Sequence, residues 1–230
     1  MPTIWKLENF GLNSVYIIAD DHPLFRDALS QAVDAHDPGS DLHSVGDLIS
    51  LRELLRDIGS ADLLMLDLSM PGASGFSGLI SIRAEFPDTP VAIVSATDDS
   101  STIRKCIQLG ASGFIPKSLG AGLIGKAVST IKEGELWIPD TVDMDNEGDQ
   151  EFQGVVDRIQ SLTPQQTRVL AMLGEGLLNK QIAYELSVSE ATVKAHVSAV
   201  LMKLGVDSRT QAVIIMNKIG AGFSESLSKF

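Results

Sequence analysis

Short apolar runs alternate with amphipathic stretches over the first 135 residues. Runs at 15–20, 42–46, 62–67, 90–95 and 113–116 have the length and flanking turn signals of buried strands, the second weakly. The stretches between them, 23–36, 47–58, 75–86, 99–109 and 119–133, keep helical spacing. In the last of these, Leu119, Leu123, Ile124, Ala127, Val128 and Ile131 are expected to form one core-facing stripe. Strand and helix alternating five times predict an α/β doubly wound, five-stranded parallel sheet, and right-handed crossovers leave it few topologies. After Trp137-Ile138-Pro139 come six acids in the twelve residues 140–151, a composition with little to bury that predicts a solvated linker. From Val155 onward the pattern is helical only. Thr163 before Pro164, Ser189 before Glu190 and Ser208 before Arg209 are N-cap signals. They predict a small all-α, four-helix domain. The division expected is a 1–14 extension, a domain over 15–135, an acidic linker over 136–160, a helical domain over 161–222 and a 223–230 tail.

Composition adds further restrictions. An apolar share of 44% supports ordinary globular cores. The single cysteine, Cys106, excludes an internal disulfide and fits a reducing compartment. The first ten residues lack a basic flank leading into an apolar segment, and no run is long enough to span a bilayer, so a soluble, cytoplasmic protein is expected. The four histidines (His22, His36, His43, His196) show no metal-ligand spacing. Net charge is −12, and it is unevenly distributed. Residues 1–154 hold 10 Lys/Arg against 24 Asp/Glu, a balance of −14, and residues 155–230 hold 8 against 6, a balance of +2. The first part should repel a nucleic-acid duplex and the second should not. A balance of +2 implies weak non-specific affinity that falls steeply with salt.

Charged residues stand where the strands end. Asp20 and Asp21 follow the first run, Asp67 ends the third, Ser95 ends the fourth and Lys117 follows the fifth. Parallel neighbours would gather them in one crevice at the C-terminal edge of the sheet, where open α/β sheets bind ligands. Three carboxylates suit a hard divalent cation such as Mg²⁺, and a carboxylate can also attack phosphorus. Singly, each residue is more often a helix cap or a solvated loop residue. Five such residues at four strand ends point to phosphoryl chemistry.

These residues carry a family resemblance. Ala19-Asp-Asp-His-Pro-Leu-Phe-Arg26, Leu66-Asp-Leu-Ser-Met-Pro-Gly72, Ser95-Ala-Thr97 and Gly113-Phe-Ile-Pro-Lys117 resemble the flavodoxin-like receiver domain of bacterial two-component response regulators. The resemblance implies that Asp67 accepts a phosphoryl group from a sensor histidine kinase. Asp21, Asp67 and the Ser69 carbonyl would hold Mg²⁺ directly, and Asp20 mainly through water. Ser95 and Phe114 occupy the paired switch positions, and Lys117 occupies the position of the lysine that meets the phosphoryl group. Phe114 stands where many relatives have tyrosine, so packing rather than a hydroxyl would report its movement.

The C-terminal third carries a second resemblance. Within 190–204, Val193, Val197, Val200, Leu201 and Leu204 share one face, and Ala191, Lys194, Ala195, Ser198, Ala199 and Met202 share the other. Phasing alone favours a plain amphipathic helix over a slim groove-reading one. Leu162-Thr-Pro-Gln-Gln-Thr-Arg-Val-Leu170, Asn179-Lys-Gln-Ile-Ala183, Ser189-Glu-Ala-Thr-Val-Lys-Ala-His-Val197 and Lys203-Leu-Gly-Val206, however, resemble the LuxR-type (NarL/FixJ-like) helix-turn-helix DNA-binding domain. By family position, 179–186 would support and 189–204 would read double-stranded DNA. Lys194, Ala195 and Ser198 would face bases, while Asn179, Lys180, Ser189, Thr192 and His196 would contact phosphates or brace the helix. The last helix, 208–219, is expected to supply a dimer seam through Ala212, Val213 and Met216. Gln165-Gln166 replaces a frequent Arg-Glu pair, and few long polar side chains are available for base readout, which favours shape readout.

Together the resemblances imply a phosphorylation-regulated transcription factor, a homodimer on an inverted repeat when phosphorylated, whose receiver covers the recognition helix in the inactive form. Two alternatives stand beside this reading. One is a phosphorylation-independent or ligand-gated DNA binder. The other is an aspartyl-phosphate enzyme; those commonly carry a second acid two places after the nucleophile, where this chain has Ser69.

Overall fold

Each apolar run becomes one strand of a sheet whose two faces are both covered, which is why the runs are continuous and not alternating. In the computed structural model, which describes residues 13–71, 75–142 and 150–216, the order is β1 (Val15–Ala19), α1 (Pro23–His36), β2 (Asp41–Val45), α2 (Leu48–Ile58) and β3 (Leu63–Asp67). It continues with α3 (Ser77–Glu85), β4 (Val91–Ser95), α4 (Ser100–Gln108), β5 (Gly113–Pro116) and α5 (Ala121–Lys132). The strands are all parallel in the order β2-β1-β3-β4-β5. The residues expected as a 1–14 extension lie outside the described part except for the last two, and the 223–230 tail lies wholly outside it.

Successive strand residues feed opposite faces. Ile17, Ala19, Leu64, Leu66, Ile93 and Phe114 pack with Leu48, Leu51 and Leu55 of α2, Leu79 and Ile82 of α3, and Ile103 and Cys106 of α4. Tyr16, Ile18, Met65, Ala92, Val94 and Ile115 pack on the other side with Leu29 and Val33 of α1 and with Ile124, Ala127, Val128 and Ile131 of α5. The α5 stripe holds with one correction. Leu123 is 49% exposed, because it lies on the flank of the face defined by 124, 127, 128 and 131. The weak second run is the edge strand β2, paired with β1 from Val15↔Asp41 to Ala19↔Val45.

The second half of the segment expected as a linker folds as helix α6 (Gln150–Gln160). Its apolar residues Phe152, Val155, Val156 and Ile159 join one core with both flanking domains. Phe152 meets Phe76 edge-on at 6.4 Å and lies 5.0 Å beneath Lys105 Nζ. Arg158 Nη1 donates to the carbonyl of Leu204 at 3.0 Å on the helical side.

The helical domain contains α7 (Pro164–Gly174), α8 (Asn179–Glu185), α9 (Glu190–Leu204) and α10, helical over 209–216 to the end of the described residues. Its starts are capped as the sequence predicts. Thr163 and Gln166 form a reciprocal capping box, and Ser189 Oγ accepts from Thr192 N at 3.1 Å. Gln166, one of the two departures from the usual Arg-Glu pair, also accepts from Lys203 Nζ at 2.9 Å, tying α7 to α9. Val169, Met172 and Leu173 of α7, Ile182 and Ala183 of α8 and Val193 of α9 close the small core beneath the turn.

Candidate functional site

The sheet order reverses between β1 and β3, and the strands open there at their C-terminal ends, as in other doubly wound sheets. Asp20 and Asp67 lie at this edge, 1% and 2% exposed, while Asp21 beside them faces solvent. Asp20 is fixed from three sides. Its N–H donates to Val45 O at 3.1 Å, its carbonyl accepts from Arg26 Nη1 at 2.6 Å, and its Oδ1 accepts from His22 N at 2.8 Å. Asp67 Oδ1 accepts from Ser69 N at 3.2 Å. The remaining oxygens, Asp20 Oδ2 and Asp67 Oδ2, are buried and pair with Lys117 Nζ at 2.6 and 3.1 Å. Phe25 lies under that ammonium at 4.8 Å. Burial pushes the Asp67 carboxyl above the usual carboxylate range, and Lys117 opposes the shift.

Two buried carboxylates facing one ammonium leave the crevice one positive charge short, and a divalent cation fits that deficit. Asp20, Asp21, His22 and Asp67 bring a ligand atom each within 4.8 Å of one another. His22 is the member that the sequence reasoning missed. Its Nδ1 lies 2.7 Å from Asp21 Oδ1 and 3.1 Å from Asp20 Oδ1. A search for spaced histidines overlooks a ligand set made of three consecutive residues and one distant aspartate.

The other expected residues divide between the crevice and the interior. The Ser95 carbonyl accepts from Lys117 N at 2.7 Å, joining the ends of β4 and β5, and Ser95 Oγ accepts from Thr97 N at 3.2 Å. Phe114 is fully buried among Ile93, Ile103 and Cys106. Ser69 stands exposed at the mouth, two residues past Asp67.

On the helical domain, Lys180, Ser189, Thr192, Lys194, Ala195 and Ser198 are exposed, and His196 is half-buried. Four of the polar side chains already have partners. Asn179 Oδ1 accepts from Arg209 Nη1 at 3.3 Å, Ser189 and Thr192 hydroxyls are paired at 2.9 Å, and Ser198 Oγ donates to Lys194 O at 3.0 Å. The dimer-seam expectation needs correction. Ala212 and Met216 are buried in the domain's own core, because that is the face α10 turns toward α7, Val213 is half-buried, and among the described residues of α10 the exposed large apolar one is Ile214 at 47%.

The receiver does not lie over α9. It meets the helical domain through α3 against α7, through α6, and through Arg52, which reaches Glu85 at 2.9 Å and Glu175 at 3.0 Å and also bonds Ser81. In this structure the outward residues of α9 are open. The physical reason is that the apolar residues of α6 and α7, and not the polar outer face of α9, have surface to bury.

Residues 16–129 match the response regulator receiver domain, and residues 160–216 match the bacterial regulatory proteins of the luxR family. The chain is 41% identical over 204 residues to the glycerol metabolism activator of Pseudomonas putida, covering 86% of this chain and 92% of that one. The chain belongs to the LuxR-type response regulators. It is also 34% identical to the nitrate/nitrite response regulator NarP of Escherichia coli, again covering 86% and 92%. RcsB of Salmonella enterica serovar Typhimurium, solved on promoter DNA with a beryllofluoride phosphomimetic, shares the fold at 23% identity with a TM-score of 0.51 over 89% of this chain and 98% of that one. A response regulator of this type is a DNA-binding transcription regulator and not an enzyme. None of the described helices of this regulator is long and apolar enough to cross a membrane.

Proposed function

We propose that this response regulator controls transcription from the cytoplasm by accepting a phosphoryl group on Asp67 from a sensor histidine kinase. The carrying observation is the pair of buried carboxylate oxygens converging on Lys117 Nζ at 2.6 and 3.1 Å. An Asp67 oxygen attacks phosphorus, and the bond from phosphorus to the donor's imidazole nitrogen breaks as the aspartyl phosphate forms. Asp21, Asp67 and the Ser69 carbonyl, with Asp20, would hold Mg²⁺, which would supply the charge neutralisation that lets carboxylate and phosphoryl oxygens approach. Lys117 is placed to exchange Asp67 Oδ2 for a phosphoryl oxygen. Ser95 Oγ then turns from Thr97 N toward the same group, and Phe114 fills the space the hydroxyl leaves. Phosphorylation thereby biases an existing equilibrium between domain arrangements.

The output is binding of double-stranded DNA by α9. Lys194 and Ala195 face bases, and Lys180, Ser189 and Thr192 sit toward the backbone, with Asn179 and His196 bracing. A twofold homodimer on an inverted repeat follows from reading two half-sites with one surface. Because Ser198 spends its hydroxyl on its own helix, direct readout rests mainly on Lys194, and groove shape carries the rest. The test is selection from random duplexes with and without Mg²⁺ and beryllofluoride, for the natural chain and for Asp67→Asn. An inverted repeat enriched only with the mimic, and only when Asp67 is present, is the expected result. Equal enrichment in all arms refutes gating by Asp67.

A further inference from the structure

Helices α8 and α9 are joined by the short turn 186–189. Ser187 there takes φ 52°, in the left-handed region, and Val188 N donates to Ala183 O at 3.0 Å. That turn fixes one end of the pair. The start of α8 brings no cap of its own, because Leu178 at the N-cap has no side-chain acceptor. Arg209 holds that end instead. Its Nη1 donates at 3.3 Å to Oδ1 of Asn179, the first residue of α8, and its Nη2 donates to the carbonyl of Leu177 just before.

Both sides of this contact are anchored. Leu177 N donates to Met172 O at 3.0 Å, and its side chain packs on the small core with Ile182 and Val193. On the other side Gly205 closes α9 at φ 68°, and Val206 N donates to Leu201 O at 3.0 Å. Ser208 Oγ then accepts from Gln211 N at 3.3 Å where α10 begins. The guanidinium thus ties the first turn of α8 to the end of α9 across that corner. A planar fork with two donors engaged fixes direction as well as distance, which a single ammonium cannot do. We propose that Arg209 is a positioning residue for DNA binding: by fixing the first turn of α8 against α9, it lets Lys180 meet a phosphate while Lys194 meets a base. The inference rests on the roles proposed above for those two lysines. Arg209 acts through Lys180, the neighbour of Asn179, and does not itself touch DNA.

The test is DNA binding by the full chain, with Mg²⁺ and beryllofluoride, on the duplex enriched by selection, between about 50 and 200 mM salt. Arg209→Lys keeps the charge and loses the fork, and Arg209→Ala loses both. Each is also combined with Lys180→Ala, at a temperature where circular dichroism shows the variants folded. Lys180→Ala alone is expected to weaken binding about tenfold and to lower the salt slope by about one. Either Arg209 variant should reproduce both changes. Added to Lys180→Ala, it should change affinity by less than about twofold and leave the slope where it is. A further fall in slope of about one with Arg209→Ala, absent with Arg209→Lys, makes Arg209 itself a phosphate contact and overturns the inference. Lower thermal stability with unchanged affinity makes Arg209 purely structural and overturns it as well. If Arg209→Ala does not fold, the Arg209→Lys pair decides. Should Lys180→Ala leave affinity and slope unmoved, the role of Lys180 fails and the inference with it. If only the Arg209 variants are silent, Lys180 keeps its role and the inference falls alone.

Discussion

Replacing Lys117 by methionine removes one charge and keeps most of the stem, so the loss falls on the electrostatics of the crevice. Lys117 Nζ stands 2.6 Å from Asp20 and 3.1 Å from Asp67, and both carboxylates are almost wholly buried. Removing one partner of a buried ion pair costs about 3–5 kcal/mol, because the other charge is left uncompensated. The low end applies here, since Asp67 can escape by taking up a proton, and burial already favours its protonated form. A loss of about 3 kcal/mol in a domain of this size lowers Tm by about 10 °C. The pH dependence has a definite sign. Asp67 is raised in the folded state, so folding binds a proton more readily than the unfolded chain does, and its ionisation opposes stability above the folded pKa. Without Lys117 the carboxyl rises further. The deficit of Lys117→Met should therefore shrink as pH falls from about 8 to about 5.5. Mg²⁺ at about a hundred times its Kd returns about 2.7 kcal/mol, close to the whole loss. Thermal unfolding by circular dichroism, at both pH values and with and without Mg²⁺, measures all three quantities. A deficit below about 1 kcal/mol, or one unmoved by both pH and Mg²⁺, refutes the argument that the two carboxylates depend on this ammonium.

Three further outcomes follow from contacts described above. Phe152→Ala removes an edge-on pair worth about 0.5–1.5 kcal/mol and a cation–π contact worth about 0.5–1 kcal/mol. Amide exchange in α3 and α7 should speed up about tenfold or more, and unchanged protection would show that α6 does not hold the domains together. Gly113→Ala would put a methyl 2.6 Å from Ile131 Cδ1 and 3.0 Å from Trp137 O, so a loss of about 1–3 kcal/mol is expected in denaturant titration. Lys194→Ala should cost about 1–3 kcal/mol at one base pair and relax the preference there; a uniform loss with a salt slope reduced by about one would instead make Lys194 a phosphate contact.

Much of this architecture is legible in the chain because a sheet buried on both faces leaves continuous apolar runs, and four of the five runs are followed or ended by a polar residue. Asp20, Asp67, Ser95 and Lys117 stand out for that reason, and the parallel register brings them together without further information. The faint second run is faint because an edge strand is half-covered and can carry Asp41 and His43. Other features depend on phase or partner. Ala212 and Met216 lie on one stripe of α10, and periodicity alone does not say whether a short stripe meets its own domain or a second copy. Helix α6 was hidden by the acidic composition around it, although Phe152, Val155, Val156 and Ile159 keep the i, i+3, i+4, i+7 spacing. The reach of Arg52 to Glu175 spans 123 residues, beyond any local pattern.

Past α5 the chain turns back and lays Trp137 alongside Gly113, with Phe114 N donating to Trp137 O at 2.8 Å. One margin of the sheet is thereby occupied by the molecule's own backbone. The opposite margin, β2, presents Asp41 and His43, charged or polar side chains that discourage a foreign strand. Strand addition from a second chain is thus obstructed on both sides. A misfolded population would have to peel Trp137 away before this sheet could seed fibrous growth from its β5 side.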